Sequence, residues 1–85
     1  MDGKQTPRPI KIEVSCVDRP GLLAAISAAI TSADVNIARA QVRTFPDEKA
    51  VNTFDVMITD SNQLKRVLSN ISKVKGVYKA TRARG

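Results

Sequence analysis

The sequence predicts one small α+β domain with the ferredoxin-like βαββαβ order of elements. Three observations predict this fold class. The length of 85 residues leaves room for a single core. Segments that alternate apolar and polar residues, as strands do, are interleaved with two segments that repeat apolar residues at helical spacing. A short turn-forming segment separates the two middle strands, so two βαβ units joined by a hairpin form a four-stranded antiparallel sheet with both helices on one face.

The first strand and the first helix are predicted at residues 10–16 and 21–32. Strict alternation gives the strand one buried face, formed by Ile10, Ile12, Val14 and Cys16. Pro20 suits the first helical turn because it has no N–H and a fixed φ. The helix is predicted to bury one face, formed by Leu23, Ile26, Ile30 and Ala33. Its other positions are mostly Ala and Ser, so a neighbouring surface can approach its backbone closely.

The second and third strands are predicted at residues 37–45 and 50–59, with a hairpin connection at residues 45–49. The second strand is predicted to face the core through Ala38, Ala40 and Val42. Its outward set is Arg39, Gln41 and Arg43. The third strand is predicted to face the core through Phe54, Val56 and Ile58, and its outward set is Val51, Thr53, Asp55 and Met57. In this topology the first and third strands are central, and the second and fourth strands are edges.

The clearest amphipathic helix follows the third strand. Asp60 supplies an N-cap, and Gln63 three residues later completes a capping box. Apolar residues then repeat at helical spacing, at Leu64, Val67, Leu68, Ile71 and Val74. Gly76 occupies a position typical of a left-handed C-cap, and residues 77–84 are predicted to form a short basic strand.

The net charge of +6 is unevenly placed along the chain. Residues 1–60 carry seven basic and eight acidic side chains, whereas residues 61–85 carry seven basic side chains and no acidic one. The basic set is Lys65, Arg66, Lys73, Lys75, Lys79, Arg82 and Arg84. This asymmetry indicates either contact with a polyanion such as RNA or a solvated helix face with a charged chain end.

The composition excludes several classes of chemistry. The chain has no His, no Trp and one Cys, which excludes His-based acid–base catalysis, Cys/His zinc sites, a CxxC redox motif and an internal disulfide. The outward positions of the third strand lack aromatic residues, so stacking of single-stranded RNA there is not expected. We expect no catalytic residue, metal or cofactor. Cys16, Met57 and Tyr78 are expected to be packing or interface residues.

The sequence also predicts where the protein acts and how the chain is divided. No run of 18 apolar residues is present, and the polar N-terminus lacks the apolar stretch of a signal peptide. Together with the lone thiol, these features predict a cytoplasmic protein with no membrane partner. Residues 1–9 are expected to be a linker remnant, and residues 10–85 the domain.

The loop at residues 18–23, Asp-Arg-Pro-Gly-Leu-Leu, carries the most specific local pattern. Gly21 lets a ligand approach the backbone, and the first N–H groups of the following helix favour an anion. Asp18 offers a partner for an amine, and Asn36 offers a donor and an acceptor at what we expect to be the same end of the sheet. An α-amino acid carries both charges and matches this set. The alternative is that Pro20 and Gly21 merely shape a helix start.

This loop, together with Asn36-Ile37 at the start of the next strand, resembles the corresponding motif of the ACT domain. The resemblance extends over residues 9–84. That family consists of small βαββαβ modules that bind amino acids and control attached enzymes. The ending Gly76-Val77 with Arg82 and the basic tail is similar to the C-terminal ACT domain of RelA/SpoT-type GTP pyrophosphokinases, which make and degrade (p)ppGpp in the stringent response. A glycine-cleavage repressor or a regulatory subunit of acetolactate synthase has similar loops.

The resemblance implies a homodimer formed through the second strand and the first helix, with amino-acid sites at the interface and branched-chain amino acids among the candidate ligands. The ligand-binding residues it implies are Asp18, Gly21, Leu22, Leu23, Asn36 and Ile37. It also implies catalytic domains upstream in a parent enzyme, so this chain is expected to be an excised regulatory domain. A contact with the ribosome or its RNA is the second expectation, through a basic surface of Lys65, Arg66, Lys79, Arg82 and Arg84.

Overall fold

The computed structural model describes residues 6–83 and confirms the βαββαβ order. The strands are β1 (Arg8–Val17), β2 (Ile37–Thr44), β3 (Lys49–Ile58) and β4 (Val77–Arg82). The helices are α1 (Leu22–Thr31) and α2 (Ser61–Ser72). The first strand begins at Arg8, two residues earlier than predicted, so Arg8 and Pro9 belong to the sheet.

The sheet has the strand order β2-β3-β1-β4, and every neighbouring pair is antiparallel. The central and edge strands are therefore those that the sequence predicted. The register of the ladders places Glu13 opposite Thr53 and Thr53 opposite Gln41. The predicted outward residues consequently share the face of the sheet that carries no helix.

The core lies between the other face of the sheet and the two helices. Phe54 is fully buried, and it packs in one cluster with Ile26 of α1 and Ile71 of α2. The central strands add Ile12, Val14, Cys16, Ala50, Val56 and Ile58 to this cluster. Alternate burial along β3 follows the predicted phase at every residue from Ala50 to Ile58.

Helix α1 buries a different face at its start from the one predicted. Leu22 is 7% exposed and lies in the core, whereas Leu23 is 41% exposed. Leu22, Ile26 and Ile30 are spaced by four residues each, and this spacing keeps them on one side of the helix. The prediction that Leu23 faces the core is wrong. Leu22, four positions before Ile26, takes the buried position.

Helix α2 has the predicted cap at its start. The Asp60 carboxylate accepts a hydrogen bond from the Gln63 backbone N–H at 2.8 Å, and the Gln63 side chain accepts one from the Thr59 backbone N–H at 2.8 Å. The helix ends at Ser72 with Lys73 as its C-cap. Gly76 is left-handed with φ of 102°, but it lies in the turn before β4 and does not cap the helix.

Strand β2 has the predicted phase but not the predicted burial. Ala40 and Val42 pair with Phe54 and Asn52, which are buried on the helix side, so these two inward residues were correctly predicted. The prediction for Ala38 is wrong, because a bulge leaves Ala38 without a partner in the ladder and Ile37 pairs with the buried Val56 instead. Nevertheless Ile37 is half-buried and the rest of the strand is exposed, with Val42 49% exposed. The helices do not reach over this edge strand, so its apolar face stays open.

Candidate functional site

The β1–α1 loop is held between two neighbouring turns at one end of the sheet. The Val17 N–H donates to the carbonyl of Gly76 at 3.0 Å, and the Asp18 N–H donates to the carbonyl of Glu48 at 2.8 Å. A third bond, from the Leu22 N–H to the Arg19 carbonyl at 3.2 Å, closes the turn into α1. These bonds fix the backbone while the side chains of Asp18 and Arg19 stay exposed.

Gly21 starts α1 in a conformation that favours glycine. Its φ is 83°, and its carbonyl accepts the first helical hydrogen bond, from the Ala25 N–H at 3.1 Å. A Cβ added at this position would meet no atom within 4 Å, so the space beside the helix start is open. Within residues 6–83 no side chain caps α1, which leaves N–H groups of its first turn available to an anion.

Asn36 and Ile37 lie at the opposite end of the molecule from this loop. Ile37 pairs with Val56, and Val56 pairs with Ile10, which is seven residues before Val17 along β1. At the rise of a strand this separates the two positions by about 20 Å. The expectation that Asn36 lies at the same end of the sheet as Gly21 is therefore wrong. The chain must cross the whole length of α1 before β2 can start parallel to β1.

The loop instead lies beside the β2–β3 hairpin of the same protomer. Asp18 and Arg19 line a depression of about 390 Å³ together with Asp47 and Glu48 of the hairpin and Tyr78 of β4. Asp47, Glu48 and Tyr78 are not among the site residues predicted from the sequence. These neighbours could have been predicted from the antiparallel pairing of β1 with β3. That pairing places the end of β1 beside the start of β3 and hence beside the hairpin.

The predicted basic surface is divided between two faces. Lys65 and Arg66 are exposed on α2. Lys79 pairs with Ser15 and faces the open side of the sheet, whereas Arg82 pairs with Ile12 on the helix side. Arg84 lies outside the described residues. Arg82 and Arg8 both line a cleft of about 340 Å³, which lies next to the start of α2. Arg8 was not among the basic surface residues predicted from the sequence.

Cys16 is a buried core residue that contacts one polar side chain. The Asn52 side-chain amide donates a hydrogen bond to the Cys16 sulfur at 3.1 Å, and both residues are about 2% exposed. Burial raises the pKa of the Cys16 thiol above its ordinary value of 9.0, although the hydrogen bond from Asn52 acts in the opposite direction. The thiol therefore stays protonated at neutral pH, as expected of a packing residue.

Residues 6–83 contain no cluster of three or more His, Cys, Asp or Glu side chains that could hold a metal ion. Neither helix is long and apolar enough to cross a membrane.

Sequence comparison defines the class of this chain. A family model described as the ACT domain matches residues 4–82, which is nearly the whole sequence. The chain belongs to the ACT domain family.

The most similar curated relatives include GTP pyrophosphokinases. The chain is 43% identical over 75 residues to a GTP pyrophosphokinase of Myxococcus xanthus, covering 88% of this chain and 10% of that protein. It is 33% identical over 69 residues to the bifunctional (p)ppGpp synthase/hydrolase RelA of Mycobacterium tuberculosis, covering 81% of this chain and 9% of that protein. The chain thus spans about a tenth of the length of the relatives that it matches, and it is related to a domain of these enzymes.

Solved structures agree on the fold. The crystal structure of the ACT domain from GTP pyrophosphokinase of Chlorobium tepidum superposes with a TM-score of 0.78 at 20% identity, covering 92% of this chain and all of that one. The C-terminal domain of the MgtC protein from Mycobacterium tuberculosis superposes with a TM-score of 0.73 at 18% identity, covering all of this chain and 94% of that one. At these identities the likeness concerns the fold alone.

Proposed function

We propose that this chain is the amino-acid-sensing, dimerising regulatory domain of a cytoplasmic RelA/SpoT-type enzyme that makes or hydrolyses (p)ppGpp in the stringent response. The observation that carries the proposal is the uncapped start of α1 at Gly21 beside the exposed carboxylate of Asp18. The sensing unit is the predicted domain of residues 10–85 extended by Arg8 and Pro9 of β1, and the catalytic domains belong to the remainder of the parent. The domain itself contributes no catalytic group and uses no cofactor.

The two charges of an α-amino acid match the loop. Its carboxylate accepts hydrogen bonds from the free N–H groups at the start of α1, where the helix dipole also favours an anion. Its ammonium pairs with Asp18. Leu23, in the same first turn of α1, presents an exposed apolar side chain, which favours an aliphatic ligand side chain such as those of the branched-chain amino acids.

A second copy supplies the rest of the proposed site. The open edge of β2 can pair with β2 of a partner, and a twofold axis then runs the two strands antiparallel. This pairing places the Ile37 end of one protomer beside the Thr44 end of its partner. Thr44 pairs with Ala50 and Ala50 with Cys16, so the Thr44 end is also the end of the β1–α1 loop. Asn36 and Ile37 of the partner thereby complete the pocket that one protomer cannot form alone.

Titration of the protein with valine, isoleucine and leucine tests the proposal, with amide chemical shifts as the readout. We expect shifts of amides between Val17 and Ile26 and at Asn36, and no shifts in the centre of α2, which serves as the internal control. Replacing Asn36 by Ala should abolish the response at Gly21 although the two residues are about 20 Å apart in one protomer. If no amide near the loop or at Asn36 moves with any amino acid, this domain does not sense amino acids.

A second candidate function is docking to RNA of the ribosome. The observation that favours it is the cleft at the start of α2, where Arg8 and Arg82 line the same side of the sheet. Guanidinium groups bind phosphate oxygens through paired hydrogen bonds, and every phosphate contact makes binding more sensitive to salt.

The RNA proposal is tested by measuring binding to a structured rRNA fragment at several salt concentrations. We expect Arg82→Gln and Arg8→Gln to weaken binding and to lower the salt dependence by about one counterion each. Lys79→Gln, on the other face of the sheet, is the matched control and should change the affinity less. Binding that is absent, or that does not depend on salt, contradicts this function.

A further inference from the structure

The open face of the sheet contains an apolar hollow that the proposed function does not use. We call it the hairpin recess, and its apolar lining is formed by Phe45, Pro46, Ala50, Val51 and Tyr78. Its volume is about 370 Å³, which is ample for one amino-acid side chain. Tyr78 is 60% exposed, so a large part of its ring faces the solvent. An exposed ring beside a concave apolar wall offers a binding surface for another apolar group.

A β-bulge places Tyr78 at this recess. Ser15 pairs with Lys79 and Cys16 pairs with Val77, so Tyr78 is an extra residue on β4 with no partner across the ladder. Bulges re-aim a side chain and are frequent next to binding sites. The Phe45 N–H donates to the Lys49 carbonyl at 2.9 Å, and this bond closes the hairpin that forms the opposite wall.

A charged depression continues the recess towards the β1–α1 loop. It is the hollow of about 390 Å³ lined by Asp18, Arg19, Asp47 and Glu48, and it shares Asp47 and Tyr78 with the hairpin recess. The hydrogen bond from the Asp18 N–H to the Glu48 carbonyl joins the two walls at 2.8 Å. An apolar hollow and a charged hollow are therefore adjacent, and we refer to the two together as the cleft.

The charges of this cleft are opposite to those of the chain as a whole. Asp18, Asp47 and Glu48 bring three carboxylates, and Asp47 is partly neutralised by an exposed ion pair with Lys49 at 3.7 Å. Arg19 is the cation of the depression. On a chain of net charge +6 this is a local site for an ammonium group, with one guanidinium beside it for a carboxylate.

We infer that this cleft is a second ligand site, complete within one protomer, for an α-amino acid with a large apolar side chain. The ammonium of the ligand faces the carboxylate of Glu48, its carboxylate faces Arg19, and its side chain fills the hairpin recess against Tyr78. The inference rests on the proposed function, namely that the domain responds to amino acids. It differs from the interface site because it needs neither Asn36 nor a partner copy.

Three probes separate the contributions of the two charges. L-phenylalanine carries both charges, phenethylamine lacks the carboxylate, and 3-phenylpropionate lacks the ammonium. The readout is the amide shift of Val51, Glu48 and Tyr78 during titration of the protein. Because the rim carries more carboxylates than cations, we expect L-phenylalanine and phenethylamine to bind and 3-phenylpropionate not to bind. Binding of 3-phenylpropionate as tightly as phenethylamine would contradict the assigned charges.

Two glycine variants form a matched pair for the carboxylate. Glu48 and Asp34 are both non-glycine residues with positive φ, 62° and 60°, so glycine fits either backbone without strain. Glu48→Gly removes a carboxylate from the cleft, whereas Asp34→Gly removes one from the turn before β2, at the other end of the sheet. We expect Glu48→Gly to weaken phenethylamine binding about fivefold and Asp34→Gly to leave it unchanged. Equal effects of the two variants would overturn the inference.

Variants of Tyr78 and Arg19 complete the test. Tyr78→Ala should weaken all probes that bind by about tenfold, and Tyr78→Phe should restore binding. Arg19→Gln should weaken L-phenylalanine but not phenethylamine. If amino acids bind with sensitivity to Asn36→Ala and none to these variants, the second site is wrong while the proposed function stands. If no amino acid shifts any amide, both are wrong.

Discussion

Strands β2 and β3 are neighbours in one ladder, yet they differ in nearly every other respect. Ala40 pairs with Phe54 and Val42 with Asn52, so each pair has one member from each strand on the same side of the sheet. The β3 members are buried, and the β2 members are exposed. An alternating pattern therefore determines which face a side chain occupies, but the cover over that face depends on other elements.

The two strands also differ in what covers them. Both helices pack over the central strands, whereas every residue of β2 after Ile37 is exposed. Exposed Ala24, Ala25 and Ala28 leave α1 without long side chains that could shield the edge. A second copy can approach both surfaces at once, and this is why the two form one proposed interface.

The largest expected effect concerns the core side of this comparison. Phe54→Ala should lower the free energy of unfolding by about 3–5 kcal/mol, because it leaves a cavity between the sheet and both helices. Val42→Ala, on the same side of the neighbouring strand, should change it by less than about 0.5 kcal/mol. Denaturant unfolding of the two variants at a concentration where the protein is monomeric measures both values. Equal losses would mean that β2 is covered as well as β3.

The next effect concerns the partner copy. Val42→Asp and Ala28→Glu each put a carboxylate into the proposed interface, where it would be buried without a partner. We expect the dimer dissociation constant to rise at least about tenfold. Light scattering over a dilution series gives the mass, and Thr53→Glu on the open face of the sheet is the control. A mass that Ala28→Glu leaves unchanged removes α1 from the interface.

A smaller effect is expected from the buried Cys16 thiol of the central strands, which is hydrogen-bonded to Asn52. It concerns the dependence of stability on pH. Burial raises the pKa of the Cys16 thiol, so the unfolded chain ionises first as the pH rises. The contribution of the neutral thiol to stability is complete below its ordinary pKa of 9.0 and is lost as the pH rises towards the folded value, by at most about 1.4 kcal/mol per pH unit.

Unfolding of the protein and of Cys16→Ala between pH 7 and pH 10.5 isolates this contribution. The difference in stability between the two proteins should shrink at alkaline pH. A difference that stays constant would show that the thiol ionises equally in both states. All other ionisable groups are common to both proteins and cancel in the comparison.

The smallest effect is expected on the open face of the same two strands. Arg39 stands opposite Asp55 across the ladder, with both side chains on the face without helices. Opposite charges in such an exposed cross-strand position contribute little, so Arg39→Gln should lower the free energy of unfolding by about 0.5 kcal/mol or less. A double-mutant cycle with Asp55→Asn measures the pair. A coupling above about 1 kcal/mol would mean that this face is covered in solution.

The sequence was sufficient for the elements whose two faces differ strongly. The alternation of β3 predicted its burial residue by residue, and the Asp60–Gln63 cap predicted the start of α2. Leu22 and Leu23 show where a pattern is ambiguous. Two adjacent leucines at a helix start are both compatible with a buried face, and the structure places the core position at Leu22.

The site depended on geometry that spacing along the chain does not contain. Gly21 and Asn36 are 15 positions apart in sequence, but α1 carries the chain to the opposite end of the sheet before Asn36. A bulge in β4 places Tyr78 beside the loop, and the antiparallel register of β1 and β3 places Glu48 there. These contacts join distant segments, so the local motif predicted one wall of the site and not the others.

A mixed-label NMR experiment tests the central claim, that two copies pair so that the loop of one meets the start of β2 of the other. Half of the chains carry ¹³C and half do not, and a filtered spectrum records contacts between protomers only. Leu23 lies in the first turn of α1, shortly after the end of β1, whereas Ile37 starts β2, and these two ends of the sheet are about 20 Å apart by the strand register. We predict contacts between Leu23 of one copy and Ile37 of the other. A dimer that lacks these contacts, or a protein that is monomeric at millimolar concentration, would contradict the account.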